Sequence, residues 1–141
     1  MPRKYHAQII ARDGLKYDGQ VVYVRLPGAD GSFGVMAYHA PLVALLQPGA
    51  VLVTESSAQG PRYFACAGGV AEVRDNTLTV LVDAAEPGTE IDVARADAAA
   101  QRARERLGGP AAPEIDADRA RAALVRALAR LEVAHQAESR E

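Results

Sequence analysis

Residues 83–96 read DAAEPGTEIDVARA and divide the chain into two parts of different composition. Upstream of Glu86-Pro87-Gly88, β-branched and aromatic residues alternate with polar ones, a period-2 pattern that is typical of short, half-buried strands. Downstream, the segment from Asp92 to Glu141 contains 16 Ala and 9 Arg, a composition that favours helix. We therefore expect a β domain over residues 1–86 followed by a helical arm over residues 87–141.

The first part predicts short strands that are bounded by Gly, Pro, Asp and Asn turn signals. The expected strands are Tyr5–Ala11, Gln20–Leu26, Phe33–Met36, Val51–Glu55, Tyr63–Ala67, Val70–Arg74 and Thr77–Asp83. Strands of this length and spacing indicate a sandwich or a barrel. Between them, Pro41–Leu46 is expected to form a short helical or irregular crossover, because Pro41 pre-sets the first turn of a helix.

The second part predicts two helices that form an antiparallel hairpin. Asp92 is the expected N-cap of the first, which runs to about Leu107 and ends at Gly108-Gly109-Pro110. The second begins near Asp116 or Asp118 and runs towards Glu138. Its expected buried stripe consists of Leu124, Leu128, Leu131 and Ala134. Because this stripe and its surroundings are rich in Ala, we expect docking of the hairpin on the β domain to contribute several kcal/mol of free energy at most.

Charge and composition exclude several classes of protein. The 141 residues carry 16 Lys and Arg against 18 Asp and Glu, a formal net charge of −2, which argues against a nucleic-acid partner or an anionic membrane surface. No apolar run approaches the roughly 20 residues of a transmembrane helix, and no secretory signal follows the N-terminus. A single Cys66 forms no intrachain disulfide. We expect an intracellular protein that does not insert into the membrane.

The sequence predicts no catalytic residue and no metal site. The three His residues, at 6, 39 and 135, do not have the spacing of metal ligands. Cys66 lies in a strand-like apolar run, which favours a packing cysteine over a nucleophile. No nucleophile elbow or phosphate-binding Gly-Lys loop is present. His39, just ahead of Pro41, either donates to a partner or holds its own loop.

Three arginines suggest an anion site in the helical arm. Arg126 and Arg130 are one turn apart, so they emerge on one face of the second helix. Arg95 lies in the first turns of the first helix. In an antiparallel hairpin, the start of the first helix lies beside the end of the second. Converging guanidinium groups suit a polyphosphate, with Asp92 and Glu86 available for ribose or base. The alternative is a solvated charged face whose arginines pair with Asp and Glu.

Five motifs occur in order ahead of the hairpin. They are Gly31-Ser32-Phe33-Gly34-Val35, His39-Ala40-Pro41-Leu42-Val43, Leu46-Gln47-Pro48-Gly49, Ala67-Gly68-Gly69-Val70-Ala71-Glu72-Val73 and Asp83-Ala84-Ala85-Glu86. Together with the hairpin, they resemble the ε subunit of rotary F-type ATP synthases over essentially the whole chain. The resemblance implies an antiparallel β-sandwich of about ten strands, which clamps the foot of the γ subunit above the membrane c-ring, followed by an α-helical hairpin. It implies a non-catalytic rotor subunit, peripheral on the cytoplasmic face of the cell membrane.

The resemblance also implies a regulatory nucleotide site. The family's motif Ile/Leu-Asp-x-x-Arg-Ala matches residues 91–96. The Glu that accompanies the motif in the family matches Glu86, and the family's two Arg one turn apart match Arg126 and Arg130. The implied ATP-binding residues are Glu86, Ile91, Asp92, Arg95, Ala96, Arg126 and Arg130. No cofactor is required, and the sequence does not decide whether Mg²⁺ accompanies ATP. When ATP is scarce, the hairpin is expected to open, reach the α and β subunits and block rotation in the hydrolysis direction.

The implied rotor interface consists of Gly31, Ser32, Phe33 and His39. Two positions depart from the family pattern. Met36-Ala37-Tyr38 stands where Leu-Pro-Gly is usual, and Ser32 stands where an acidic residue often faces the c-ring. A different class of function also fits the sequence: a free-standing, ATP-sensing adaptor whose hairpin binds another protein. The two hypotheses differ in whether γ and the c-ring co-purify with the chain from membranes.

Overall fold

The computed structural model describes residues 2–108 and 114–138. Ten strands come first and two helices follow. The strands are β1 (Tyr5–Ala11), β2 (Gly14–Val21), β3 (Tyr23–Gly28), β4 (Gly31–Val35), β5 (Leu42–Leu46), β6 (Gly49–Thr54), β7 (Arg62–Cys66), β8 (Gly69–Arg74), β9 (Thr77–Val82) and β10 (Ala85–Pro87). A 3₁₀ turn over Gly88–Glu90 leads into α1 (Val93–Gly108) and α2 (Glu114–Glu138).

The ten strands form a sandwich, as predicted. They are hydrogen-bonded in the order β10-β7-β6-β3-β5-β8-β9-β1-β2, with β4 also on β3. β3 pairs with β5 only at Gly28 and Leu46, so the sheet turns there and folds over itself. One layer therefore contains β4, β3, β6, β7 and β10, and the other contains β5, β8, β9, β1 and β2. β1 pairs with β9 in parallel, whereas the other strand pairs are antiparallel.

The core lies between the two layers and follows the period-2 pattern. In β1, for example, every second side chain from Tyr5 to Ala11 is buried. Phe64 fills the centre and meets the ring of Tyr17 edge-on, with ring centroids 5.8 Å apart. The Tyr5 hydroxyl donates to the Val35 carbonyl at 2.6 Å, which satisfies its polar atom inside the core.

The crossover predicted for Pro41–Leu46 is wrong. Residues Leu42–Leu46 form β5, which pairs with β8 along its whole length. Their inward side chains alternate with the exposed Val43 and Leu45, a strand periodicity that the continuous apolar run conceals. The strand predicted for Gln20–Leu26 is also divided, between β2 and β3. The break is at Val22, whose N–H donates to the Thr54 carbonyl of β6 at 2.8 Å instead of pairing with β1.

The helical hairpin is confirmed, and Asp92 is its N-cap. The Asp92 Oδ1 accepts a hydrogen bond from the Arg95 N–H at 3.0 Å, which satisfies one of the free donors of the first turn. α1 ends at Gly108, while the remainder of the predicted stop signal, Gly109-Pro110, lies outside the described residues. Buried alanines on both helices, such as Ala100 and Ala127, let α1 and α2 approach closely.

The stripe predicted to bury α2 is partly wrong. Leu128 is 40% exposed, whereas Val133 is 0% and Ala134 is 7% exposed. Val133 and Ala134 form an apolar cluster with Ile91 and with Ala65 of β7. α2 packs on β6, β7 and the 3₁₀ turn, while α1 packs mainly on α2. The end of α2 therefore attaches the arm to the sandwich.

Candidate functional site

A cavity of about 250 Å³ lies between the sandwich and the arm. Alanines form most of its wall, from the β7 and β10 side and from both helices. Its polar side chains are Glu86, Arg126 and Arg130. Small apolar walls with a few charged groups at one side are typical of a small-molecule site.

The fold explains why these three side chains meet. β10 pairs with β7 and places Glu86 opposite Ala65, at the sheet edge that α2 covers. Arg126 and Arg130 are four residues apart on α2, so both reach the cavity. The Arg130 Nε donates to the Glu86 Oε1 at 2.9 Å, with side chains 29% and 34% exposed. This ion pair links the two units directly.

The charge of the site favours an anion. Two guanidinium groups face one carboxylate, and within the described residues Arg126 has no carboxylate within 4 Å. Arginine donates two parallel hydrogen bonds to a phosphate, which gives both affinity and orientation. The arrangement can therefore bind a phosphorylated ligand whose apolar part contacts the alanine wall.

The other predicted site residues lie around the start of α1 and outside the cavity wall. Asp92 caps α1, and Arg95 is exposed in the first turn. Ala99, one turn after Arg95, lines the cavity. Ile91 belongs to the apolar cluster with Val133, and Ala96 is fully buried. The structure thus groups Glu86, Arg126 and Arg130, while nucleotide binding by all seven residues stays a prediction.

Cys66 is among the residues around this cavity, but its side chain offers no nucleophile. It is buried at 4% exposure and packs with the sandwich core. Burial raises its pKa to about 12, because the thiolate loses its hydration in the apolar interior. The thiol is therefore neutral near pH 7. Among residues 2–108 and 114–138, no three His, Cys, Asp or Glu residues cluster as a metal site.

The predicted rotor-interface residues are divided between β4 and the loop after it. Gly31 and Ser32 are exposed at the start of β4, and Phe33 packs partly against the core. His39 holds its own loop, since its Nδ1 donates to the Ala40 carbonyl at 2.7 Å. Neighbouring Tyr38 has a φ of 61°. This is a left-handed conformation that glycine adopts without strain, which accounts for the Gly of the usual Leu-Pro-Gly pattern at this position.

Sequence reasoning missed a set of exposed or partly exposed aliphatic side chains, here called the apolar row. Its members occupy matching positions on five neighbouring strands: Leu45, Val70, Leu81, Ile10 and Leu15. Leu45, Leu81 and Leu15 are 68%, 47% and 55% exposed. The available signal was an apolar residue on the outward side of each strand, but only the register aligns them.

Comparison with known proteins identifies the family. Residues 4–88 match the family model described as the ATP synthase delta/epsilon chain β-sandwich domain. Residues 89–135 match the delta/epsilon chain long α-helix domain. The chain belongs to the ATP synthase delta/epsilon family. In the part of the chain that the structure describes, this family member has no helix both long and apolar enough to cross a bilayer.

Two relatives of this delta/epsilon chain align over nearly their whole length. The ATP synthase epsilon chain of Desulforamulus reducens is 38% identical over 136 residues, covering 95% of this chain and 99% of the relative. That of Nitratidesulfovibrio vulgaris is 41% identical over 133 residues, covering 94% and 97%.

A solved structure has the same fold. A chain of the Euglena gracilis mitochondrial ATP synthase, in an OSCP/F1/c-ring assembly, superposes with a TM-score of 0.80 at 24% identity. The alignment covers 95% of the delta/epsilon chain and 82% of the Euglena chain. At this identity the likeness concerns the fold alone.

Proposed function

We propose that the chain is the ε subunit of an F-type ATP synthase and acts as a non-catalytic part of its rotor. Residues 1–86 bind the γ subunit and the c-ring, and residues 87–141 form a regulatory arm. The subunit is peripheral to the cell membrane, on its cytoplasmic face. The apolar row carries this proposal, because it gives the β domain an uncovered docking face while the arm occupies the opposite layer.

The dimensions of the apolar row suit a helical shaft. Four spacings between neighbouring strands, at about 4.8 Å each, give a length of about 19 Å. Exposed aliphatic side chains over such a distance are a mark of a protein interface. The γ subunit is the proposed occupant. The exposed Gly31 and Ser32, at the start of β4, are proposed to contact the c-ring.

Charged substitutions within the apolar row test the proposal. Leu45→Asp and Leu81→Asp each place a carboxylate in the proposed contact with the γ subunit. Binding γ would strip water from that carboxylate without pairing it, which an interface core does not tolerate. We expect γ and the c-ring to be lost when either variant is purified from membranes. Leu128→Asp is the matched control, because Leu128 is exposed on α2 and away from the apolar row.

The outcomes of this purification separate the two classes of function. If γ and the c-ring co-purify with the unaltered chain and with Leu128→Asp, but not with the row variants, the rotor role is supported. If neither partner accompanies the unaltered chain, the free-standing adaptor is the better interpretation. Thermal unfolding of each purified chain separates lost docking from lost folding.

The cavity supports the regulatory part of the proposal. Its walls come from both the sandwich and the arm, so a ligand there binds only the docked arm. ATP would stabilise that state by RT ln(1 + [ATP]/Kd), or about 2.7 kcal/mol at a hundredfold excess over Kd. This matches the scale of an attachment formed by few large side chains. Isothermal calorimetry of the full chain with ATP tests it, since a flat titration contradicts nucleotide sensing.

A further inference from the structure

Gly88 is a point of very close approach between the sandwich and the arm. It lies in the 3₁₀ turn under the last turns of α2. A Cβ atom at this position would lie 2.8 Å from the Ala137 Cβ and 3.1 Å from a Val133 Cγ. Gly88 is not among the residues with positive φ in the part of the chain that the structure describes. The lack of a side chain therefore serves contact with α2 and not a special backbone conformation.

The contacts around Gly88 form one attachment, here called the clamp. On the sandwich side, the segment 86–91 provides Glu86, Gly88 and Ile91. On the arm, Arg130, Val133, Ala134 and Ala137 lie at i, i+3, i+4 and i+7, which is one face of a helix. The clamp combines the Glu86 to Arg130 ion pair with the apolar cluster of Ile91, Val133 and Ala134.

The position of the clamp gives it control over the whole arm. α1 packs mainly on α2, so the hairpin reaches the sandwich chiefly through α2. In the chain, Gly88 lies between Glu86 of the ion pair and Ile91 of the apolar cluster, and its Cβ would meet atoms of both Val133 and Ala137. Moving α2 away from this turn would separate every contact of the clamp together.

We propose that Gly88 is the steric determinant of the docked arm, so that a single added methyl group shifts the arm towards the undocked state. This inference deepens the proposed function, since it names the residue that sets the resting equilibrium of the regulatory arm. The inference rests on the proposed function only in the experiment that measures the ATP Kd. The docking itself is measured without nucleotide.

A thiol on the clamp reports undocking of the arm. Ala134→Cys places the thiol on the covered face of α2, where Ala134 is 7% exposed. A bulky maleimide reaches it only when the arm leaves the sandwich, whether or not the helices persist. The native Cys66 is an internal reference, because its side chain packs in the sandwich core. Peptide mass spectrometry follows both rates in one full-length sample.

Gly88→Ala should accelerate labelling of the clamp thiol by about five- to a hundredfold, the range expected for forcing one methyl group into a packed contact. Labelling of Cys66 should not change. Gly108→Ala is the matched control, since a Cβ there meets nothing within 4 Å. Ala137→Gly in the Gly88→Ala background should slow labelling again, because it removes the nearest obstructing atom.

Each outcome decides the proposal. Unchanged labelling in Gly88→Ala overturns it, and so does equal acceleration in Gly108→Ala. Faster labelling of Cys66 as well also overturns it, because the substitution then unfolds the sandwich instead of releasing the arm. If the clamp thiol alone is accelerated, the apparent ATP Kd should rise by the factor by which the docked population falls. Where the docked population falls measurably, an unchanged Kd leaves the clamp supported and refutes the coupling of ATP binding to docking.

Discussion

Val133→Ala should release the arm without affecting the sandwich. Val133 is 0% exposed and packs in the apolar cluster with Ile91 and Ala65. Replacement by Ala removes two methyl groups, worth about 1.6 kcal/mol by transfer alone. With a small cavity term, we expect about 2 kcal/mol. The ratio of undocked to docked arm should therefore rise about thirtyfold.

Val125→Ala provides an unusually close control. It makes the same chemical change on the same helix, but Val125 is 47% exposed. Both substitutions gain the same helix propensity, by a few tenths of a kcal/mol, so the difference between them isolates docking. We expect Val125→Ala to change the undocking equilibrium less than about twofold, as for most surface substitutions.

The assay is maleimide labelling of Ala134→Cys in the full chain, with Cys66 as the reference thiol. The void left by two methyl groups is far too small for the reagent, so faster labelling reports departure of α2. We expect Val133→Ala to label about thirty times faster than Val125→Ala. Equal labelling rates in the two variants would refute the argument that the end of α2 attaches the arm.

Three further changes test the site, the arm and the core. Arg126→Ala should weaken ATP binding about 10- to 100-fold by calorimetry, since a charge-assisted hydrogen bond contributes about 1.5–3 kcal/mol; Arg121→Ala is the control, and equal affinities would exclude Arg126. Truncation after Glu90 should leave a folded β domain and raise ATP hydrolysis by the assembled complex; unchanged hydrolysis would mean that the arm is not a brake. The raised pKa of Cys66 predicts alkaline destabilisation, because the folded thiol keeps a proton that the unfolded chain loses above pH 9. Urea unfolding should show stability present below pH 9 and falling by up to about 1.4 kcal/mol per pH unit towards pH 12; Cys66→Ala should reduce that slope, and an unchanged slope would contradict this cause.

The division into sandwich and hairpin could be predicted because the periodicity changes within a few residues of Glu86. β5 could not, since Leu42–Leu46 is a short apolar run without alternation in its sequence, and such runs do not distinguish strand from helix. Only pairing with β8 makes it a strand. Local patterns were therefore sufficient where they were long and repeated, and insufficient where tertiary pairing decides.

The candidate site follows the same rule. The spacing of Arg126 and Arg130 is local to one helix, and it correctly places both side chains at one cavity. The attachment of the arm is a tertiary property, so the large Leu128 was the natural candidate for burial, yet it is exposed. The structure instead buries Val133, whose neighbour Gly88 permits a contact that no helical pattern reveals.

The distance between the sandwich and the arm, measured with and without ATP, tests the central claim most directly. Spin labels at Gln59→Cys and Arg121→Cys, in a Cys66→Ala background, report this distance in the full chain. We predict a short and a long distance without nucleotide, and a transfer of population to the short one as ATP is added. A single distance that ATP does not change would contradict an arm held weakly enough for a nucleotide to control.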